Sequence, residues 1–124
     1  VLFQSAVQHF ALAPNNMTDA PAWAVEFMKT VPTTWDDVKF VAGYPGKYIV
    51  VARRCGDRWL VAGINAQHEP LKLKLAVPMF AAGSALKVYA DNAALEGAVK
   101  TVKLSKKQLL DVTIPCNGGL VVCE

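Results

Sequence analysis

The chain has 124 residues, of which 53% are hydrophobic and 19% charged, with a formal net charge of +3. That length suits one domain with a buried core, and the composition excludes a disordered chain. The small positive charge, without a basic stripe interleaved with aromatic residues, argues against a nucleic-acid partner. No run of about 18 apolar residues exists that could span a membrane.

The first 32 residues have a helical pattern. Residues 5–12 predict a short helix, which Pro14 ends. A second helix is expected after Thr18 and Asp19, whose side-chain oxygens could cap it, with Pro21 in the first turn. Trp23, Phe27 and Val31 then recur at helical spacing, and the proline at position 32 ends the helix.

The stripe formed by Trp23, Phe27 and Val31 predicts a packing face. An apolar face stabilises a helix only where another element covers that face and removes it from water. We expect these three residues to lie at a domain interface, with a neighbouring domain as one candidate partner.

From Thr33 onward the apolar period changes to two. Residues 47–54 and 59–65 predict a hairpin, because the central Gly56-Asp57 pair suits a primed two-residue turn. Both strands are apolar on two faces at their centres, so this hairpin should be covered on both sides.

Further strands show clean alternation of apolar and polar residues. They are expected at residues 71–75, 86–90, 110–114 and 120–123, the last one after an Asn-Gly-Gly turn. Seven or eight short strands at this spacing predict a mainly β chain, an antiparallel β-sandwich with an N-terminal helical segment.

No catalytic residue and no metal ligand is predicted. Ser5 and His9 would share a helix face, but nothing fixes Asp19 behind the imidazole, so an ordinary polar pair is the simpler interpretation. Asp36 and Asp37 are adjacent and would point to opposite faces of a strand, which favours a turn or cap role. The three cysteines have no metal-binding spacing, and no acidic cluster suggests calcium.

Aromatic and arginine residues gather in one part of the sequence. Trp35, Tyr44, Arg53 and Arg54 are candidates for carbohydrate contact, since flat rings beside guanidinium donors can stack on and hydrogen-bond a sugar. The alternative, which we favour, is that the larger aromatics nearby are core and that both arginines extend out of the sheet into solvent.

Several short motifs resemble the C-terminal domain of glycoside hydrolase family 97. The similarity covers nearly the whole chain and is most specific from Val31 to Asn65. The motifs are Val31-Pro32-Thr33-Thr34-Trp35-Asp36, Tyr44-Pro45-Gly46-Lys47-Tyr48, Ala52-Arg53-Arg54, Gly56-Asp57-Arg58-Trp59, Gly63-Ile64-Asn65 and Asn117-Gly118-Gly119.

The resemblance implies a parent protein with an N-terminal β-sandwich, a central (β/α)₈ barrel holding the active site, and a C-terminal β-sandwich. Residues 1–32 would be the end of the upstream barrel, and residues 33–124 the C-terminal sandwich domain. The parent would be a calcium-dependent α-glucosidase or α-galactosidase, periplasmic or extracellular and typical of gut Bacteroidetes. Its catalytic carboxylates and calcium ligands would lie in the barrel, so no cofactor is expected in this chain.

These expectations combine into a hypothesis for the function. The chain would be a non-catalytic accessory domain that packs against the upstream catalytic barrel of the same polypeptide and stabilises it. Two alternatives stay open: a carbohydrate-binding module with an oligosaccharide partner, and an oligomerisation domain that uses the helix face or the lysine-lined strands.

Overall fold

A computed structural model describes all residues, 1–124. Two helices precede eight strands, and neither helix is long and apolar enough to cross a membrane. The elements are α1 (Asn16–Asp19), α2 (Ala22–Thr30), β1 (Asp37–Tyr44), β2 (Tyr48–Cys55), β3 (Arg58–Asn65), β4 (Leu71–Ala76), β5 (Ala85–Asp91), β6 (Gly97–Lys103), β7 (Leu109–Ile114) and β8 (Gly119–Cys123).

The strands form two sheets in which every pairing is antiparallel. Six strands make the larger sheet in the order β1-β2-β3-β8-β5-β6, and β4 pairs with β7 in the smaller one. Two sheets around a common core make a sandwich, so the expected antiparallel β-sandwich with an N-terminal helical segment is confirmed.

The core lies between the two sheets. Thirteen buried residues form one cluster, to which the large sheet contributes Val50, Val61 and Leu86, and the small sheet Leu75 and Leu110. These positions come from alternating segments of the sequence, whose polar residues turn to water. Burial of such side chains contributes about 1.5–3 kcal/mol each, which makes this cluster the main source of stability.

The β2–β3 hairpin forms as predicted. Its two-residue turn is Gly56-Asp57, and Gly56 has φ +59°, a conformation that glycine adopts without strain. The Asp36 carboxylate accepts a 2.7 Å hydrogen bond from the backbone N–H of Gly56. The turn role expected for this aspartate is therefore confirmed, and it ties the chain entering β1 to the tip of the next hairpin.

The N-terminal segment differs from the expectation in two ways. Residues 5–12 are not helical: the Ser5 hydroxyl bonds to the backbone of Val7 instead, a local alternative that competes with helix formation. Thr18 and Asp19 belong to the short helix α1 and do not cap α2. The N-cap of α2 is Pro21, with no side-chain hydrogen bond.

Candidate interaction surfaces

Side chains alternate between the two faces of the large sheet along β2 and β3. Val50 and Ala52 point into the core, so their neighbours in sequence point to the opposite side, which we call the outer face. Leu60 and Ala62 of β3 lie on this outer face and are also fully buried. The hairpin is thus covered on both sides, as its apolar sequence predicts, and the outer cover comes from the N-terminal segment.

Arg53 holds that segment in place. Its side chain is 1% exposed, and its guanidinium donates hydrogen bonds to the carbonyl oxygens of Phe3 at 2.7 Å and Leu2 at 3.2 Å. The expectation that Arg53 extends into solvent is wrong, because these two carbonyls replace its hydration. Residues 2–3 are thereby fixed across the centre of the outer face.

The guanidinium of Arg53 has no carboxylate partner, since the one ion pair in the chain joins Lys74 and Asp111. Its carbon lies 5.9 Å from the ring centre of Trp35, and Arg53 Nε and Trp35 Nε1 are both buried without a hydrogen-bond partner.

Helix α2 covers another part of the outer face. The rings of Trp23 and Phe27 lie 6.0 and 5.0 Å from the ring of Tyr89 in β5, measured between centroids. These two members of the predicted packing face therefore lie between the helical segment and the sandwich. Val31, just after the helix, is half-buried. Contact of the three with a further domain stays a prediction.

The outer face is left uncovered along its β1 side. The register of β1, β2 and β3 places Val38, Phe40, Ile49 and Ile64 there, and between 40% and 68% of each residue is exposed. Tyr44, 61% exposed at the end of β1, pairs with Tyr48 and so leaves the strand on the other side, but it lines one groove together with Phe40, Ile49 and Ile64. We call these five residues the corner patch. The alternation Asp37-Val38-Lys39-Phe40 could have signalled it, but the sequence does not tell which set turns to water.

The corner patch opens into a groove of about 460 Å³. Its walls are almost entirely apolar and include Phe40, Gly43 and Ile64, and Lys47 is the only charged residue among those that line it. The Lys47 ammonium lies 5.1 Å from the ring centre of Tyr44. Such a surface offers shape and apolar area, with few polar groups to orient a small ligand.

A second exposed apolar set lies in the N-terminal segment. Its side chains are partly or largely in water, although Arg53 anchors the backbone of the segment at residues 2–3. We call it the N-terminal apolar group, and it consists of Phe3, Val7, Phe10, Leu12 and Met17, which are 36–75% exposed.

The four carbohydrate-contact candidates do not share one surface. Arg53 and Trp35 lie together under the N-terminal segment, while Tyr44 is exposed at the far end of β1. Arg54 points to the other side of the sheet, where it donates to the carbonyl of Gly56 at 2.8 Å and lies 6.0 Å from the ring centre of Trp59. Carbohydrate contact by these residues stays a prediction.

The remaining reactive side chains are scattered. All three cysteines are free thiols, and no group of three or more His, Cys, Asp or Glu side chains converges as a metal site would require. Ser5 bonds to its own segment and His9 is exposed, so the structure does not assemble the polar pair imagined on a helix.

A family model described as "Glycosyl-hydrolase 97 C-terminal, oligomerisation" matches residues 34–123. The chain belongs to glycoside hydrolase family 97. It is the C-terminal, non-catalytic part of such a hydrolase, as the motifs from Val31 to Asn65 suggested.

Several known proteins are similar to this chain. A crystal structure of a β-arabinopyranosidase superposes with a TM-score of 0.88 and 48% identity, over 95% of this chain and 19% of that one. The chain is 38% identical over 66 residues to a probable retaining α-galactosidase from Streptomyces bingchenggensis, and 39% over 65 residues to a retaining α-galactosidase from Bacteroides thetaiotaomicron. These alignments cover 53% and 52% of this chain, and 10% of each relative.

Proposed function

We propose that this family 97 domain is an assembly domain. It packs on the catalytic domain of its own polypeptide and holds copies of that polypeptide together. The observation that carries the proposal is the presence of two separate sets of exposed apolar side chains, the N-terminal apolar group and the corner patch, on a sandwich whose core is already complete. The oligomerisation role in the description of the matching family model supports it.

The N-terminal apolar group is assigned to the contact with the catalytic domain. Phe3 and Val7 are about three-quarters exposed, yet the carbonyl of Phe3 is held by a buried arginine. A segment that is anchored at its backbone and apolar at its surface is suited to carry a second layer of packing. Its removal from water would stabilise the junction by about 25 cal/mol for each Å² of apolar surface covered.

The activity of the parent is part of the proposal. Hydrolysis of α-galactosides or of arabinopyranosides fits the relatives named above, and an α-glucosidase is the alternative from the family resemblance. An arabinopyranoside lacks the C6 hydroxymethyl group of a galactoside, so the two substrates differ at one substituent. Calcium dependence and a periplasmic or extracellular location, as in the enzymes of gut Bacteroidetes, rest on the same resemblance. The calcium ligands would belong to the catalytic domain.

Substitution in the full-length protein tests the packing role. Val7→Ser should lower the melting temperature by several degrees, because Val7 would be buried only in the presence of the catalytic domain. Leu95→Ser is the matched control, since Leu95 is 52% exposed in a turn of the sandwich and should not change the melting temperature. Equal melting temperatures for the two variants would overturn the assignment of the N-terminal apolar group.

Removal of residues 33–124 tests the function as a whole. The remaining polypeptide should lose stability and sediment as a monomer while its catalytic groups stay in place. Unchanged melting temperature, turnover and sedimentation coefficient would refute the assembly role.

Oligosaccharide binding is a second candidate function, and one observation favours it. The ring of Tyr44 is largely exposed beside the groove, where a sugar could stack on it. Calorimetric titration of the full-length protein with galacto- or malto-oligosaccharides would then show a second site that Tyr44→Ala abolishes. A single site that is unaffected by Tyr44→Ala would exclude this function.

A further inference from the structure

We propose that the corner patch is the surface on which a second copy of this chain docks, with the two patches meeting face to face about a two-fold axis. The inference rests on the proposed assembly function and names the surface that performs it.

The fold itself singles out this corner. Trp23 and Phe27 of α2 cover the outer face at β5, and residues 2–3 cover it at the centre, where Arg53 grips them. On the β1 side of the outer face several large apolar side chains stay in water: Phe40 is 68% exposed, and Ile49 and Ile64 are 40% and 44% exposed, whereas at the opposite edge Val99 is the one large apolar residue exposed, at 39%. The corner is therefore continuous with a face that this chain otherwise buries against its own segments.

The chemistry of the corner patch fits a copy of itself. A two-fold interface brings each residue near its own counterpart or near the same few neighbours, so a charged patch would repel its copy. Here the only charged side chain is that of Lys47, which is held at the rim over the Tyr44 ring. Two aromatic rings among aliphatic side chains are typical of the centre of an interface between proteins.

The available area agrees with the centre of an interface. A large aromatic side chain presents roughly 150–250 Å², so the five exposed residues together offer on the order of 500 Å² of apolar surface. A stable interface uses about 800 Å² per partner. The patch thus supplies more than half of that area, and the polar rim and the rest of the polypeptide supply the remainder.

The edge of the sheet is a less suitable contact than its face. β1 is an edge strand, but its pairing register with β2 shifts between Phe40 and Ala42, where one extra residue forms a bulge. A bulge interrupts the row of backbone groups to which another strand would pair. Association through the side chains of the face avoids this interruption.

Sedimentation velocity on the full-length protein, over a concentration series, tests the inference. Phe40→Asp and Ile49→Asp should each raise the dissociation constant of the dimer by at least about 30-fold, because a central apolar side chain contributes about 2 kcal/mol or more. Val99→Asp is the matched control: Val99 is 39% exposed on the same face at the opposite edge strand, β6, and its substitution should leave the dimer intact. Melting temperatures at low concentration check that each variant folds.

Each outcome has one meaning. Dissociation of the two patch variants with an intact Val99→Asp dimer supports the inference. Dimers of unchanged strength for Phe40→Asp and Ile49→Asp would overturn it and leave the assembly function to another surface. A wild-type protein that is monomeric at every concentration would overturn both. Loss of oligosaccharide binding in Phe40→Asp, with no change in sedimentation, would assign the patch to sugar instead.

Discussion

Trp23 lies directly over Gly97. A Cβ atom added to Gly97 would fall 2.6 Å from two carbons of the indole ring, well inside van der Waals contact. The helix α2 can therefore approach β6 only because position 97 has no side chain. This contact fixes where the helical segment sits on the sandwich.

Gly97→Ala should destabilise the protein by about 1–3 kcal/mol, the usual cost of overpacking, and shift Trp fluorescence to the red as the indole ring moves into water. A double-mutant cycle separates this clash from an effect on the strand: in a Trp23→Ala background the same substitution should cost almost nothing. Equal costs in both backgrounds would show that the indole ring is not the neighbour that matters.

The arginine clamp gives a second prediction. Arg53→Met should release residues 1–13, because each hydrogen bond that the charged guanidinium donates to a carbonyl contributes about 1.5–3 kcal/mol. Chymotrypsin should then cleave the full-length protein after Phe3 or Phe10 at least about tenfold faster. Arg54→Met is the control, since Arg54 contacts only its own hairpin. The clamp has no such role if both variants are cleaved at the wild-type rate.

A third prediction concerns the buried amide of Asn65, which is 2% exposed. Its Nδ2 donates to the carbonyls of Glu69 at 2.8 Å and of Ile114 and Pro115 at 3.2 Å, and its Oδ1 accepts from the Gln67 backbone at 3.0 Å. Asn65→Leu keeps the number and branching of the side-chain heavy atoms but leaves these partners unsatisfied, so unfolding in urea should show a loss of about 2–4 kcal/mol.

The control for Asn65→Leu is Asn117→Gly. Asn117 is exposed with φ +54°, which glycine adopts readily, so that variant should be as stable as the wild type or slightly more stable. If Asn65→Leu were equally harmless, the amide would not hold the segment of residues 67–69 to the end of β7.

The thiols give a fourth prediction. Cys123 is 2% exposed in the middle of the large sheet, whereas Cys55 and Cys116 are half-buried. A thiol-specific reagent should therefore modify Cys55 and Cys116 in the native protein and reach Cys123 at least about 100-fold more slowly, since the sheet must open first. Three thiols reacting at one rate would contradict the central position of β8.

The strands of the sandwich could be predicted where burial of one face produces a regular alternation of apolar and polar residues. In β4, Leu71, Leu73 and Leu75 turn inward while the two lysines between them turn to water, so alternation locates the strand. The edge strands β1 and β6 contain no fully buried residue, and no strand was predicted at either position. When both faces of a strand are partly exposed to water, apolar and polar residues alternate only weakly along its sequence. Such a strand becomes evident only from its pairing with a neighbour.

The interaction surfaces were harder to predict for a different reason. The partner of Arg53 is a backbone carbonyl fifty residues earlier in the chain, and carbonyl groups leave no trace in a sequence pattern. Phe40 reads as an ordinary inward residue of a strand until the register with β2 shows that it lies opposite Val51, on the outer face. In both cases the deciding information is which segments pair in the folded chain.

The position of β8 has a consequence for the order of events during synthesis. This strand lies between β3 and β5, so it alone joins the β1-β2-β3 meander to the β5-β6 hairpin. On a ribosome the β1-β2-β3 meander and the β5-β6 hairpin would emerge before residues 119–123, and each would expose the unpaired backbone groups of its edge strand until then. The large sheet can therefore close only after translation has passed this point. A prematurely terminated polypeptide would keep two partial sheets with unpaired, aggregation-prone edges, which chaperones and proteases can recognise.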